Sequence, residues 1–176
     1  VESRLAIMPG ILRVLSDWNH PATLVTRGQT VLRDLDLLVP LADRTLLLPN
    51  VAVAELIPYR APQVSEGMPE WFLGQIAWRD LRLPLLSFEA ASGGQAQVAS
   101  GARVAVINAL GGRPKVKFIA LLVQGIPHSI KVDASLARAD VELAPLELDA
   151  VNLGDMQARI PDLVGLEQKL ADAGLI

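Results

Sequence analysis

From Asp34 onward the chain consists of short apolar runs separated by residues that favour turns. Between residues 51 and 56, Val51, Val53 and Glu55 alternate with Ala or Leu, and this period of two is typical of a β-strand. Glycine, proline, Asn and Asp at the breaks predict the turns between strands. The pattern predicts roughly nine or ten strands, at residues 35–40, 45–48, 51–56, two within 70–88, 104–110, 116–123, 128–132, 148–153 and 156–160.

The stretch 74–89 predicts a β-hairpin with a tight polar turn, and the rest of the chain is arranged around it. Ile76 and Trp78 share one face of its first strand, and a second apolar run follows the turn. Pro84 has no N–H for a ladder, which predicts that the second strand lies at a sheet edge or is bulged there. Trp78 either enters the core or anchors a partner, and the apolar run 72–78 favours the core. These residues alone favour a purely structural role for the hairpin.

The two ends of the chain differ from the middle. Leu163, Leu166 and Leu170 repeat at helical spacing after Asp162, a good N-cap, and this predicts a short C-terminal helix. Residues 1–33 lack the alternating pattern, so we expect an N-terminal extension that is poorly ordered or partly helical, followed by one folded region over 34–176. Residues 59–69 and 90–101 are predicted loops, the second a flexible surface loop. The fold class is therefore all-β, built as small barrels or a sandwich.

Composition narrows the classes of function. Apolar residues are 51% of the chain and charged residues 20%, which is enough apolar side chain to bury a core. The formal charge of -3 provides no basic field for nucleic acid or an anionic membrane. The absence of cysteine excludes disulfides and thiolate chemistry. No apolar run reaches the roughly 18 residues of a spanning helix, so no membrane insertion is expected.

Candidate chemistry is scarce. His20 and His128 have no second ligand at metal spacing, so no metal site is predicted. No nucleophile motif and no phosphate-binding glycine loop occurs, so we expect no catalytic residues, no cofactor and no enzyme activity. Arg113, Lys115 and Lys117 form a small basic cluster with Phe118 as the one aromatic residue nearby, and this predicts a solvated strand face rather than a nucleic-acid site.

Several motifs together carry a family resemblance. A strand led by Gly74 ends in Arg79 and is followed by a strand that contains Pro84, and the segment 51–56 is similar to a Val-x-Glu-Ile strand. In this order they resemble the CheW-like chemotaxis coupling proteins, and the likeness extends from Asp34 to Leu175. The sequence of residues 71–89 looks more like that of the divergent members found in chemosensory pilus (type IV pili, twitching motility) systems.

The resemblance implies two small five-stranded β-barrel lobes with a short C-terminal helix over residues 34–176. It implies a non-catalytic cytoplasmic adaptor, recruited to membrane receptor arrays, that couples the cytoplasmic tip of a chemoreceptor to a CheA-type histidine kinase. Glu55 and Arg79 then lie on the receptor-facing side, near the groove between the lobes, with Asp80 beside them where the family usually has glycine. An exposed charge pair without a binding role remains the alternative for Glu55 and Arg79.

Two other functions stay open. Asp80 in place of glycine fits a CheW-like regulatory module with a different protein partner. A small β-barrel enzyme or ligand binder is a third possibility, which a buried polar pocket with several convergent ionisable groups favours. An apolar core between the lobes with exposed partner faces favours the adaptor instead.

Overall fold

The computed structural model describes residues 35–132 and 136–176. Within them, ten strands form two five-stranded sheets, which we call the first and second lobes. The first lobe contains β1 (Asp36–Pro40), β2 (Thr45–Pro49), β8 (His128–Ile130), β9 (Glu147–Leu153) and β10 (Met156–Pro161), in the order β8-β1-β2-β10-β9. The second contains β3 (Val53–Pro58), β4 (Phe72–Trp78), β5 (Leu81–Leu86), β6 (Arg103–Asn108) and β7 (Phe118–Val123), in the order β3-β6-β7-β5-β4. The extension predicted for residues 1–33 lies outside the described residues.

Each sheet curls so that its two outer strands approach each other. In the second lobe, Gln63, which follows β3, bridges to Gln75 of β4. In the first lobe, Arg138, in the chain after β8, bridges to Val151 of β9. The outer strands of each sheet are thereby linked, which agrees with the predicted barrel-like lobes.

Gly74 permits the closure of the second lobe. Its φ is +129°, and a Cβ there would lie 2.9 Å from the backbone carbonyl carbon of Gln63. A side chain would therefore push the Gln63 segment away from β4. The pairing of β4 with β5 also shifts register between Phe72 and Gly74, as expected of a bulge at glycine.

An apolar core joins the two lobes. Leu46 and Leu48 of β2 belong to the same buried cluster as Phe72 of β4 and Leu121 of β7. The C-terminal helix α2 (Leu163–Asp172) adds three leucines to this cluster. A second cluster fills the second lobe around Trp78, and a smaller one fills the first lobe. A core shared between the lobes is one of the features that favour the adaptor hypothesis.

Two buried carboxylates fasten segments that are distant in sequence. Glu89, in the one-turn helix α1 (Phe88–Ala91), accepts a hydrogen bond from the backbone N–H of Ala42 at 3.0 Å and ties the second lobe to the β1–β2 turn. Glu167 of α2 accepts from the backbone N–H of Gly111 and from Arg113 Nη1, both at 2.8 Å. The β6–β7 loop is thereby held against α2.

The predicted strands and the C-terminal helix are confirmed. Asp162 caps α2 by accepting from the N–H of Gly165 at 2.7 Å, and a Cβ at Gly165 would lie 2.5 Å from the Asp162 carboxylate. Glycine here makes room for the cap, so its low helix propensity is only part of its effect on the helix.

One local prediction was wrong. The predicted loop 90–101 begins inside α1, because Ser87 caps a helical turn and Ala91 packs in the core. The prediction for Pro84 holds only locally: β5 lies between β7 and β4 in the sheet order, and the bulge is on β4. Pairing of β5 with β7 covers only Leu85 and Leu86, so β5 has an open side at the proline.

Candidate partner-binding site

The β4–β5 turn presents Arg79 and Asp80 to solvent. Arg79 has a φ of +51°, a left-handed conformation that non-glycine residues rarely adopt. Asp80 is not among the residues with positive φ, so the turn does not require glycine at this position. The departure from the family pattern at residue 80 is therefore compatible with a tight two-residue hairpin.

Trp78 is the platform beneath this turn. Its side chain is buried in the second lobe, where its ring packs edge-on against Phe118 with 4.9 Å between centroids. Its indole N–H donates to Glu55 Oε2 at 3.0 Å, so the one polar atom of the ring is satisfied. The prediction that Trp78 enters the core is confirmed.

Glu55 and Arg79 form an ion pair above this platform. Arg79 Nη2 donates to Glu55 Oε2 at 3.1 Å, and the guanidinium stacks over the Trp78 ring, 4.4 Å from its centroid. The side chains remain 69% exposed for Arg79 and 41% exposed for Glu55. One carboxylate oxygen thus holds both the indole and the guanidinium in place while leaving the pair accessible.

A groove of about 460 Å³ begins beside Arg79 and lies in the second lobe. Its floor includes Ile57 of β3 and Ile76 of β4, the two outer strands of the sheet, and Arg60 and Arg82 line it with Arg79. Every lining residue belongs to the second lobe. This groove opens between the outer strands of one curled sheet, and the expectation that Arg79 lies near a groove between the lobes stays a prediction.

The arrangement suits recognition by charge and shape rather than catalysis. Arg79 offers a planar set of donors that matches a carboxylate. Within residues 35–132 and 136–176, no group of three or more His, Cys, Asp or Glu residues could hold a metal ion. The structure brings Glu55 and Arg79 together, whereas Asp80 stands next to them in the turn with no hydrogen bond to either of them. Sequence analysis omitted Trp78 from the site, although its place directly before Arg79 was the available signal.

A second charged cluster lies in the first lobe, and no pattern in the sequence predicted it. Arg44 Nη1 donates to Glu147 Oε1 at 2.5 Å, and the Glu147 side chain is only 1% exposed. Hydrogen bonds from Arg44 lower the pKa of Asp43, and the same bonds raise the pKa of Arg44 above its usual value. Burial raises the pKa of Asp36 in β1. The Arg44–Glu147 contact lies apart from the Arg79 turn and ties the β1–β2 turn to the start of β9.

Comparison with known proteins identifies the family. The model of the CheW-like domain matches residues 37–169. The crystal structure of the scaffolding protein TtCheW from Thermoanaerobacter tengcongensis is similar in fold, with a TM-score of 0.62, 17% sequence identity, and coverage of 81% of this chain and 87% of that one. No curated protein matches the sequence. Among the described helices, none is long and apolar enough to cross a membrane.

The family match covers most of the described chain, including both lobes and most of α2. CheW-family proteins are scaffolds and adaptors without catalytic activity, which confirms the prediction that this protein is not an enzyme. The chain belongs to the CheW-like domain family and is a non-catalytic scaffold of the chemotaxis type.

Proposed function

We propose that this protein couples chemoreceptors to a CheA-type histidine kinase and that Arg79 contacts the receptor. The protein then works in the cytoplasm at membrane receptor arrays. The observation that carries the proposal is the exposed guanidinium of Arg79, held by Glu55 and Trp78 in a chain that belongs to the CheW-like family.

The geometry makes Arg79 a suitable contact. A long cationic side chain normally loses rotamer freedom when it binds, and that loss weakens affinity. Here Trp78 and Glu55 already restrict the side chain, so less freedom remains to be lost. Nη2 of Arg79 is hydrogen-bonded to Glu55, while the other N–H donors of the guanidinium can bind a carboxylate on a receptor helix. Glu55 acts as a positioning residue in this proposal, and Asp80 lies at the rim of the contact.

Reversal of one charge tests the proposal. Arg79→Glu is expected to leave the circular dichroism spectrum unchanged, to abolish or severely weaken binding to a receptor cytoplasmic fragment, and to spare binding to the kinase. Lys131→Glu, an exposed cation on the first-lobe side, is the matched control and should retain both partners. Equal loss of both partners, or of neither, contradicts the role assigned to Arg79.

We further propose that this protein works in a signalling system of the chemosensory pilus type. The sequence of residues 71–89 supports this assignment. Deletion of the gene should then impair twitching motility and leave flagellar swimming unchanged. Impaired swimming with normal twitching would contradict this assignment.

A different protein partner is the second candidate, and Asp80 favours it. This exposed carboxylate adjoins Arg79 and would repel an incoming carboxylate. If a chemoreceptor is the partner, Asp80→Gly should strengthen its binding. If Asp80 instead selects another partner, Asp80→Gly should weaken binding to that partner and leave receptor binding unmeasurable, as in the wild type.

A further inference from the structure

The second lobe contains another groove, formed where β5 and β7 separate. The two strands pair in parallel at Leu85 and Leu86 only, and no ladder joins them at Leu81–Leu83. Pro84 lies at the point of separation, and a residue without an N–H interrupts ladder bonding. The opening has a volume of about 520 Å³. One side of the Leu81–Leu83 segment therefore has no strand partner within the described part of the chain.

The walls of this groove are apolar inside and basic at the rim. Leu83 and Phe118 belong to the apolar cluster inside the lobe, and Leu81, on the same face of β5 as Leu83, is 44% exposed at the start of the strand. Lys115 and Lys117 lie in the loop that leads into β7, and both are exposed, whereas Val116 and Phe118 are partly buried. Arg82 completes the basic rim from the β5 side.

These lysines differ from the arginine beside them in sequence. Arg113 is neutralised by the buried Glu167. Lys115 and Lys117 are exposed and have no ion-pair partner among residues 35–132 and 136–176. The protein as a whole is acidic, with a formal charge of -3, so a local concentration of unpaired cations beside an open strand edge points to an acidic ligand.

We infer that this groove binds an extended segment of a partner protein in which acidic and apolar side chains alternate. Within Leu81–Leu83, the main-chain groups of Arg82 face away from β4, because Leu81 and Leu83 pair with Trp78 and Ile76, and these groups can hydrogen-bond to an added strand. Because side chains of a strand alternate between faces, one set would pack towards Leu83 and Phe118 and the other would meet Lys115, Lys117 and Arg82.

Other classes of ligand fit the groove less well. Single-stranded nucleic acid requires exposed aromatic rings for stacking, and Phe118 is occupied by its edge-on contact with Trp78. Anionic membranes are recognised by clusters of about four to eight basic residues, and this rim has three. The sequence analysis predicted only a solvated strand face here; the gap between β5 and β7 adds the open edge.

Binding of a short labelled peptide tests the inference. The probe is a fluorescein-labelled hexapeptide, Glu-Val-Glu-Leu-Glu-Val, and the matched control has the same composition in blocks, Glu-Glu-Glu-Val-Leu-Val. Fluorescence anisotropy is expected to show binding of the alternating peptide at least about tenfold tighter than of the block peptide, a difference of about 1.4 kcal/mol. Binding should weaken with added salt. Equal affinity for the two peptides, or no binding of either, overturns the inference.

Charge reversal then locates the site. Lys115→Glu combined with Lys117→Glu should weaken binding of the alternating peptide by about tenfold or more. Lys131→Glu combined with Arg138→Glu changes the net charge equally at two exposed first-lobe positions that line neither groove and should have little effect. Greater loss in the control pair would place the peptide elsewhere and overturn the inference. Backbone NMR shifts at Leu81–Leu83 in the wild type provide an independent readout that does not depend on folding of a variant.

Discussion

The Glu55 carboxylate accepts a hydrogen bond from the guanidinium of Arg79 at 3.1 Å, across the opening between the two outer strands of one sheet. The strands β3 and β4 are at opposite ends of the sheet order, so the pair meets only because the sheet curls round. The contact links the end of the hairpin to the far edge of the same lobe.

We expect this pair to matter more for recognition than for stability. Both side chains are well exposed, and exposed ion pairs contribute about 0–1 kcal/mol. A double-mutant cycle with Glu55→Gln and Arg79→Gln, followed by urea unfolding, should give a coupling energy in that range. Glu55→Gln should nevertheless weaken receptor binding, because the guanidinium loses its support. A coupling energy of several kcal/mol would show instead that the pair is mainly structural.

Trp78 is expected to be essential for the second lobe. Trp78→Ala removes a buried ring and should lower the free energy of unfolding by about 3–5 kcal/mol. Trp78→Phe keeps an aromatic contact with Phe118 but loses the indole N–H that Glu55 accepts, so its cost should be smaller. Chemical denaturation measures both variants. A stable Trp78→Ala protein with impaired partner binding would make the residue an interface anchor instead.

Gly111 is expected to tolerate no side chain. A Cβ there would lie 2.7 Å from Cδ of Glu167 and 2.6 Å from Nη1 of Arg113, so it would displace the buried carboxylate from its donors. Gly111→Ala should destabilise the protein by about 2–4 kcal/mol, as expected when a buried charge loses its partners. Gly101→Ala is the matched control, because its Cβ would meet no atom within 4 Å. Equal melting temperatures for the two variants would contradict the prediction.

Asp43 should make stability depend on pH in the acid range. Its pKa is lowered in the folded protein by hydrogen bonds from Arg44, so its stabilising effect is present above the usual value of 3.8 and is lost as pH falls through the lower folded pKa. Asp43→Asn should therefore be less stable than the wild type at neutral pH, by a few tenths of a kcal/mol because the site is partly exposed. In urea unfolding the difference should disappear in strong acid. A constant difference at all pH values would exclude this origin.

Residues 1–33 are expected to be dispensable for the folded domain. Their sequence lacks the alternation found from Asp34 onward, and the core described above is formed by residues from Leu37 onward. A protein that begins at Asp34 should unfold at nearly the same temperature in a thermal scan. A loss of several kcal/mol would show that Leu12, Leu15 and Trp18 pack against the lobes.

Sequence analysis located the elements well but not their contacts. The strands and the Asp162 cap were predicted because alternation, helical spacing and capping depend on residues close together in the chain. The helical turn α1 was missed because four residues carry no helical period. Pro84 indicated an open side of β5, but local pattern could not tell that β7 pairs with the same strand further along.

For the candidate site too, local features were predictable from the sequence, whereas contacts between distant residues were not. The sequence by itself determined that Arg79 ends an apolar strand at a turn, that Trp78 faces inward, and that the chain resembles the CheW-like family. Only the tertiary structure decided that Glu55, 24 residues away, meets both of them, and that Arg44 pairs with Glu147 across 103 residues. It also decided that β5 and β7 part beside two exposed lysines. Such contacts depend on strand order and sheet curvature, which arise from packing of the whole core and leave no periodic signal in the local sequence.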